Sequence, residues 1–532
     1  MPTLTINNFG GRLTRYVNGD INSGFAKYAT AFGYDPFSKP ANLTWMETAT
    51  RVDSGGTVIT DLIIAGKERV ESGISYVYAI GHLGRLYKIQ VNDPTTYNPN
   101  YDNPVLLATI SSGSPTFTRG GSMDFFGATE RIYIGHDKGV TRIDFSGANE
   151  TVVGVAGSWT QTVPRPLKQF AGKLYAGNGT KLAEIDSTAT VSTYSKLSPE
   201  FPINTEIRDT DTSVDGNYLE MVVSRLALPD ITSTTEDTTF LSNAESYIFG
   251  WNGTDAGYTS FVSFPSFSIN ASHLFGSRQF TFGYDLAGAT VFAPTEKILS
   301  LPLAQAPLPN AVGSNGNLIG WVTPERDPVS GVLKSSLFLF GSLDREVTDG
   351  WWRQFNFAAT DTETDIVRIP FQLLVSNLVI GSSSNGYAGN VVGNGKMYFS
   401  TLETSSAPTT DYKLYKFFNI PTTTGTAIGG VYETQTQLFS KKSLVKEVRF
   451  YHEPLVANNG WQCDLIGSDG TVITNSTKTF TVGSAPVTAG DERSKYNPAI
   501  KPVYTLALRV TNTGTKNMTF KKVEIDYQDV ND

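Results

Sequence analysis

The residue types that most often perform acid–base or nucleophilic chemistry are scarce in this sequence. The chain has four histidines and one cysteine among 532 residues. His82 and His136 each follow a glycine at equivalent places in two similar segments, which favours a role in turns over one in catalysis. His452 begins the sequence H-E-P, so the zinc-binding motif H-E-x-x-H is absent. Cys463 lies in a strand-like run and is predicted to be a buried, inert thiol.

Two acidic segments have the composition of a metal or acid–base site. Asp211, Ser213 and Asp215 place oxygen atoms at alternate positions before a glycine, as in calcium loops. The expected glutamate at the twelfth position is missing, because Val222 stands there. Residues 361–365 hold three carboxylates, but proximity alone assigns neither an acid nor a base. Both segments are predicted to be solvated loops, with no metal site.

Motifs for nucleotide or hydrolytic chemistry are absent from the sequence. It contains no phosphate-binding G-x-x-x-x-G-K-[S/T] loop, no dinucleotide-binding glycine pattern and no G-x-S-x-G. The box S-x-D-x-G-x-T-W of sialidases is also missing, with 213–216 and 468–471 as its nearest fragments. We therefore predict no catalytic residue, no cofactor and no enzymatic activity. A sialidase-like glycoside hydrolase remains the enzymatic alternative.

Composition and charge exclude several further classes of protein. The chain is 39% apolar and 17% charged, which argues against a disordered polyelectrolyte. Its net charge of −8 disfavours general binding to nucleic acid or to anionic membranes. It has no run of about 20 apolar residues, and residues 1–15 lack the charged start and apolar run of a secretory signal, so neither a membrane span nor export is expected. A single cysteine excludes an intrachain disulfide, so folding in a cytosol is allowed.

Three similar segments dominate the organisation of the chain. Each reads as a strand with a central tyrosine, a short Gly-containing turn and a second strand that ends on isoleucine or near it; they span residues 76–89, 131–145 and 173–186. The tyrosines Tyr78, Tyr133 and Tyr175 lie 55 and 42 residues apart, close to the roughly 40–50 residues of a propeller blade. Residues 51–426 are therefore predicted to form a β-propeller of about seven blades. A sandwich or a pair of barrels is the alternative for the same strands.

The two ends of the chain differ from this repetitive part. After the Thr- and Gly-rich stretch 421–430, residues 427–532 contain strictly alternating strands, which predict a C-terminal β-sandwich. Residues 1–50 are rich in aromatic side chains but lack repeated alternation. They are predicted to form an extended N-terminal arm whose apolar side chains must be covered, either by the chain itself or by a neighbouring subunit.

The opening of the chain resembles virion proteins of tailed bacteriophages. The resemblance is carried by residues 6–13, which read INNFGGRL, and by the strand-rich segments 76–80 and 84–87. In that group a similar opening precedes a β-propeller, and members serve as tail nozzle or tail hub proteins. The resemblance implies a structural tail component. The residues expected at its assembly interface are Phe9, Gly10, Gly11, Leu13, Tyr16 and Phe25.

These inferences together predict a structural virion protein that assembles as a ring in the tail, around the channel through which the genome is ejected. Its expected partners are further copies of the same chain and other tail or head–tail connector proteins, with DNA only as passing cargo. It would be synthesised and assembled in the host cytoplasm. The main alternative is a propeller that binds a glycan or receptor, with Trp251, Trp321, Trp351 and Trp352 as residues that could stack on sugars.

Overall fold

The computed structural model describes most of the chain as β-strands and the turns that join them. It covers residues 2–7, 9, 28–32, 34–35, 42–45, 50–51, 59, 63–91, 104–119, 121–155, 157–197, 201–213, 215–225, 245–265, 268–275, 278–285, 288–295, 297–302, 319–326, 333–341, 350–356, 369–373, 389–393, 396–402, 412–417 and 430–530. For the described positions within 28–35, 50–51, 91 and 265–417, the description is of the backbone. All regular secondary-structure elements in these described ranges are β-strands. The all-β prediction is therefore confirmed.

Four-stranded antiparallel sheets hold the strands between residues 63 and 417. Five short strands precede them: β1 (Thr3–Ile6), β2 (Tyr28–Phe32), β3 (Tyr34–Asp35), β4 (Leu43–Trp45) and β5 (Thr50–Arg51). The first sheet contains β6 (Ile63–Glu71), β7 (Ile74–Gly81), β8 (Arg85–Val91) and β9 (Pro104–Thr109). The second contains β10 (Ser122–Phe126), β11 (Arg131–His136), β12 (Gly139–Ile143) and β13 (Thr151–Val152). The third contains β14 (Leu167–Phe170), β15 (Lys173–Asn178), β16 (Lys181–Ile185) and β17 (Val191–Thr193).

Four further sheets follow the same order. The fourth contains β18 (Glu206–Thr212), β19 (Leu219–Ser224), β20 (Glu245–Trp251) and β21 (Ser260–Pro265). The fifth contains β22 (Ser268–Phe275), β23 (Arg278–Asp285), β24 (Gly288–Thr295) and β25 (Lys297–Pro302). The sixth contains β26 (Ile319–Arg326), β27 (Leu333–Gly341), β28 (Gly350–Asn356) and β29 (Ile369–Leu373). The seventh contains β30 (Gly389–Gly393), β31 (Lys396–Leu402), β32 (Tyr412–Phe417) and the early strand β5.

Successive sheets meet through their first strands. β6 contacts β10, β10 contacts β14, β14 contacts β18, β18 contacts β22, and β22 contacts β26. β30, the first strand of the seventh sheet, contacts β6 of the first sheet. The fourth strand of the seventh sheet comes from the start of the chain, with Arg51 opposite Tyr415 and Thr50 opposite Lys416. The first and the seventh sheets are therefore neighbours.

The three tyrosine-centred segments form the second and third strands of the first three sheets. Tyr78, Tyr133 and Tyr175 lie on β7, β11 and β15 and are at most 1% exposed. Charged residues lie opposite them on both neighbouring strands: Lys67 and Lys88 at Tyr78, Asp124 and Arg142 at Tyr133, and Lys168 and Glu184 at Tyr175. The three segments are thus similar in sequence because each forms the same β-hairpin in its own sheet.

The last part of the chain belongs to a separate, larger sheet. Its strands are β33 (Val431–Thr434), β34 (Gln437–His452), β35 (Gly460–Ile466), β36 (Lys478–Thr481), β37 (Arg493–Tyr496), β38 (Val503–Asn512) and β39 (Thr519–Asp529). With β1 to β4 they make an 11-stranded sheet among the described residues. β39 pairs with β34 on one side and with both β1 and β4 on the other, so that Thr3 lies opposite Asp526 and Leu43 opposite Phe520.

An aromatic core lies under this C-terminal sheet. Phe450, Trp461 and Phe480 come from β34, β35 and β36 and are at most 1% exposed. The ring centroids of Phe450 and Trp461 are 5.9 Å apart, and those of Trp461 and Phe480 are 4.6 Å apart. The N-terminal segment adds fully buried side chains to the same core, namely Ile6, Phe9, Leu43 and Trp45.

The expected N-terminal arm is therefore partly built into the chain's own C-terminal sheet. The Phe9 ring is 0% exposed and packs edge-on against Tyr432, with the centroids 5.4 Å apart. The prediction that Phe9 lies at an interface between molecules is wrong, because this core already encloses its ring. The other residues predicted for that interface lie outside the described residues: Gly10, Gly11, Leu13, Tyr16 and Phe25.

The opposite face of the C-terminal sheet carries a cluster of ion pairs around Arg449. Its guanidinium group donates to both carboxylate oxygens of Asp526, at 2.5 and 2.8 Å. The same group donates to Glu524 at 3.1 Å and to Glu447 at 2.9 Å. Three carboxylates on two neighbouring strands thus share one arginine, which we call the Arg449 cluster.

Candidate assembly surface

The described histidine side chains are used in the fold. His136 is 2% exposed, and its Nε2 lies 3.1 Å from the hydroxyl oxygen of Thr141. Its Nδ1 accepts a hydrogen bond from the backbone N–H of Lys138 at 3.3 Å. Burial, together with the nearby cations Arg165 and Lys138, lowers the pKa of His136 to about 4. The ring is neutral at pH 7 and serves the turn between β11 and β12.

His452 and Cys463 have similar structural roles in the C-terminal sheet. His452 Nε2 lies 2.9 Å from the Ser494 hydroxyl, and its Nδ1 lies 3.0 Å from the Glu453 carbonyl oxygen. The Cys463 thiol is fully buried, 3.2 Å from the Tyr496 hydroxyl. Burial raises the pKa of this thiol to about 12. The prediction that Cys463 is buried is confirmed. The side chain of His273 lies outside the described residues.

The two carboxylates of the acidic segment 211–215 bind different protein groups. Asp211 forms an ion pair with Lys168, with Oδ1 and Nζ 2.5 Å apart. Asp215 accepts hydrogen bonds from the Ser213 hydroxyl at 2.5 Å and from the Asn217 N–H at 3.1 Å. In the part of the chain that the structure describes, no group of three or more His, Cys, Asp or Glu side chains could hold a metal ion. Residues 361–365 are not among those described.

A chain of polar contacts joins the first strands of the first four sheets. Lys67 on β6 forms an ion pair with Asp124 on β10. The second oxygen of Asp124 accepts the backbone N–H of Gln169 on β14, at 3.0 Å. The neighbouring Lys168 then pairs with Asp211 on β18. These carboxylates hold adjacent sheets together and are not free for acid–base chemistry.

Glu184 is the most strongly perturbed carboxylate in the described sheets. Burial opposes its ionisation, but hydrogen bonds from Lys173, Lys196 and Ser192 outweigh burial and lower its pKa to about 2. The Lys196 ammonium nitrogen lies 2.7 Å from one carboxylate oxygen. A carboxylate that is permanently ionised between two lysines stabilises the third sheet and cannot act as a general acid at neutral pH.

Trp251, one of the tryptophans considered for sugar stacking, belongs to the core. It is 0% exposed, and its indole N–H donates to the Asp255 carbonyl oxygen at 2.8 Å. The side chains of Trp321, Trp351 and Trp352 lie outside the described residues. Trp251 therefore cannot stack on a ligand at the surface.

Exposed apolar side chains occur instead on the outer strands of two sheets. On β9 they are Val105 and Leu106, 53% and 41% exposed. On β21 they are Phe261 and Val262, 58% and 51% exposed. We call these two strands the β9 edge and the β21 edge. Neither strand was predicted as an exposed apolar surface, although both are uncharged six-residue runs in the sequence, PVLLAT and SFVSFP.

The buried His136 predicts a pH dependence of stability. Its folded pKa of about 4 lies below the ordinary value of 6.5, so the unfolded chain takes up a proton that the folded chain excludes. We expect the free energy of unfolding to fall by up to about 3 kcal/mol as the pH drops from 6.5 to 4. His136→Gln should lose this contribution, measured by urea unfolding at pH 7 and at pH 4.5. Equal pH dependence in both proteins would show that the ring is protonated in the fold.

Comparisons with known proteins give similarity in structure only. No protein-family description and no curated protein sequence matches the chain. Among solved structures, the N-terminal domain of Nup159 is 10% identical, with a TM-score of 0.37, over 73% of this chain and 97% of that one. The Pan2 WD40 domain of Neurospora crassa is 8% identical, with a TM-score of 0.38, over 70% and 97%. The computationally designed Ika8 protein is 10% identical, with a TM-score of 0.37, over 69% and 99%.

None of the described residues belongs to a helix with the length and hydropathy that a membrane crossing would need.

Proposed function

We propose that the seven four-stranded sheets are the blades of one β-propeller and that β5 closes its ring. This proposal is supported by the contacts between successive first strands and by the contact of β30 with β6. A strand from the start of the chain that completes the last blade would join the two ends of the ring. We also propose that the C-terminal sheet folds into two layers of a β-sandwich, because Phe450 and Trp461 pack together although their strands β34 and β35 are not paired.

We further propose that the protein is a structural, non-enzymatic component of a bacteriophage tail, built as a ring of copies around the path of the DNA. The resemblance of residues 6–13 to virion proteins suggests this setting. The observation that supports a structural role is that buried titratable side chains form hydrogen bonds and ion pairs within the fold. The buried side chains of His136, His452 and Cys463 are hydrogen-bonded to protein groups, and so are the carboxylates of Asp124 and Glu184.

The proposed partners are further copies of the chain, adjoining tail or head–tail connector proteins, and DNA as passing cargo. A buried Phe9 changes how the copies would join, since the first residues are part of the body of the protein. Assembly must then use surfaces that remain exposed after folding. The contacts are therefore expected at exposed side chains, and the fully buried Ile6 and Phe9 would take no part in them.

The test is to locate the protein in purified particles of the phage that encodes it. Mass spectrometry of the particles should detect the chain at a fixed ratio to the major tail proteins. Gold-labelled antibodies against the purified protein should bind at the tail. If washed particles contain none of the chain, the proposed function is wrong, whatever the behaviour of the isolated protein.

A further inference from the structure

We propose that the C-terminal sheet makes a weak contact with the phosphate groups of DNA through three lysines and a tyrosine, which we call the Lys442 patch: Lys441, Lys442, Lys501 and Tyr504. The proposal rests on the tail function proposed above, which places the chain around the path of the DNA. It adds to that function a binding site for the cargo, with the DNA backbone as its ligand.

The members of the patch come from two neighbouring strands of the C-terminal sheet. Lys441 and Lys442 lie on β34, and Lys501 lies two residues before β38 begins. Directly after Lys442, β34 pairs with the first residue of β38. The Lys442 ammonium nitrogen lies 5.9 Å from the centroid of the Tyr504 ring, and Tyr504 is 50% exposed. The strand pairing thus gathers three cations and an accessible aromatic residue in one region of the sheet.

The charges of the patch are not paired within the described part of the chain. No carboxylate among the described residues forms a salt bridge with Lys441, Lys442 or Lys501. Asp529 on β39 lies opposite Ser443, next to Lys442 in the chain. Its carboxylate accepts a hydrogen bond from the Ser443 hydroxyl at 2.8 Å. Three ammonium groups near one carboxylate leave a local excess of positive charge.

The types of the unpaired residues favour a loose contact with phosphate. Arg449 and Arg509 of the same sheet form ion pairs with carboxylates of neighbouring strands. The lysine ammonium is a compact point charge without the fixed fork geometry of a guanidinium group. Lysine is depleted in protein–protein interfaces, whereas lysine and tyrosine are both common donors to DNA phosphates. These preferences favour DNA over a protein partner.

The charge of the C-terminal part differs in sign from that of the whole chain. Residues 430–530 contain 12 Lys and Arg and 10 Asp and Glu, so their net charge is +2, whereas the chain carries −8. At physiological ionic strength, exposed charges more than about 8 Å apart are largely screened. Distant carboxylates therefore weaken a contact at the patch without preventing it. A weak contact of this kind would not hold back a DNA molecule that has to pass.

The experiment measures binding of the full-length protein to a short, fluorescently labelled DNA duplex by fluorescence anisotropy, from low to physiological salt. Three phosphate contacts predict that the logarithm of the binding constant falls with the logarithm of the salt concentration with a slope of about −2.7. Lys441→Ala, Lys442→Ala and Lys501→Ala should each weaken binding and make the slope shallower by about 0.9. Tyr504→Phe should weaken binding without changing the slope, because it removes an uncharged donor.

Lys521→Ala is the matched control for these variants. Lys521 is an exposed lysine of the same sheet, near the beginning of β39 and far along that strand from Asp529. It should bind with the affinity and slope of the wild type, and circular dichroism should be the same for all variants. Equal changes in the control and the patch variants overturn the proposal, because they indicate general attraction. A wild-type protein that binds no duplex at low salt also overturns it. Neither result moves the chain out of the tail, which the particle analysis decides separately.

Discussion

Replacing Phe9 by alanine is expected to destabilise the C-terminal sheet by about 4 kcal/mol. The ring is fully buried and packs against Tyr432, and most other members of this core come from strands more than 400 residues later in the chain. Removal of the ring leaves a cavity that these strands cannot close without shifting. Hydrogen exchange should show the loss as faster exchange of the backbone amides of Val503–Asn512 and Thr519–Asp529.

Leu438→Ala is the matched control for this prediction. Leu438 lies in the same sheet but is 61% exposed, so its truncation should change the free energy of unfolding by less than about 0.5 kcal/mol. The first three sheets should exchange at the same rate in both variants, since the described buried residues that share a core with Phe9 include none from these sheets. If Phe9→Ala instead leaves the C-terminal amides protected and only weakens assembly, the Phe9 ring contributes to a contact between copies and not to this core.

The hairpins of the first three sheets were predictable because their pattern is local. A buried tyrosine flanked by alternating apolar residues and a glycine turn repeats three times, and the structure builds each copy as two adjacent strands. The tight turns between these strands also require glycine at particular positions. Gly84, for example, has φ +76° between β7 and β8, and a Cβ atom there would lie 3.3 Å from the Ile110 carbonyl oxygen. Because these constraints act between residues close in sequence, they produce a pattern of residue types that can be recognised in the sequence.

The role of residues 1–51 was not predictable because it depends on strands at the other end of the chain. Alternation was absent there, and aromatic content alone indicated apolar surface that something must cover. In the described part of this segment, β1 and β4 pair with β39, and β2 pairs with β33. β5 then pairs with β32, in the seventh sheet. One short segment thus pairs with two different sheets, and each pairing joins strands more than 350 residues apart in the sequence. Such distant pairings leave no periodic pattern in the sequence of the segment itself.

Removing the charge of Arg449 is expected to be the second large effect. Arg449→Met keeps most of the side-chain volume but leaves Glu447, Glu524 and Asp526 without their shared cation. Only 15% of the Arg449 side chain is exposed, so water can compensate little, and we expect a loss of about 3 kcal/mol at pH 7. Urea unfolding followed by hydrogen exchange in Gln437–His452 measures it. Lys495→Met is the control: that side chain is 60% exposed and pairs with Glu447 alone, so the loss should stay below about 1 kcal/mol.

The effect of Arg449 should also depend on pH, and the sign follows from the carboxylates. A hydrogen bond from Arg449 lowers the pKa of Asp526 below its ordinary value of 3.8. Bonds from Lys495 and Arg449 lower the pKa of Glu447 below 4.5, and a bond from Lys522, against burial, does the same for Glu524. Stability from groups with lowered pKa values is present above the ordinary values and is lost as the pH falls through the folded ones.

The wild-type protein and Arg449→Met should therefore differ most near neutral pH and converge in acid. Below the folded pKa values the three carboxylates are neutral, so the missing cation no longer leaves uncompensated charge. We expect the difference in free energy of unfolding to shrink from about 3 kcal/mol at pH 7 to less than about 1 kcal/mol once the pH lies below the folded pKa values of these carboxylates. A difference that stays constant over this range would mean that Arg449 stabilises the sheet by packing its aliphatic stem, and that the ion pairs add nothing.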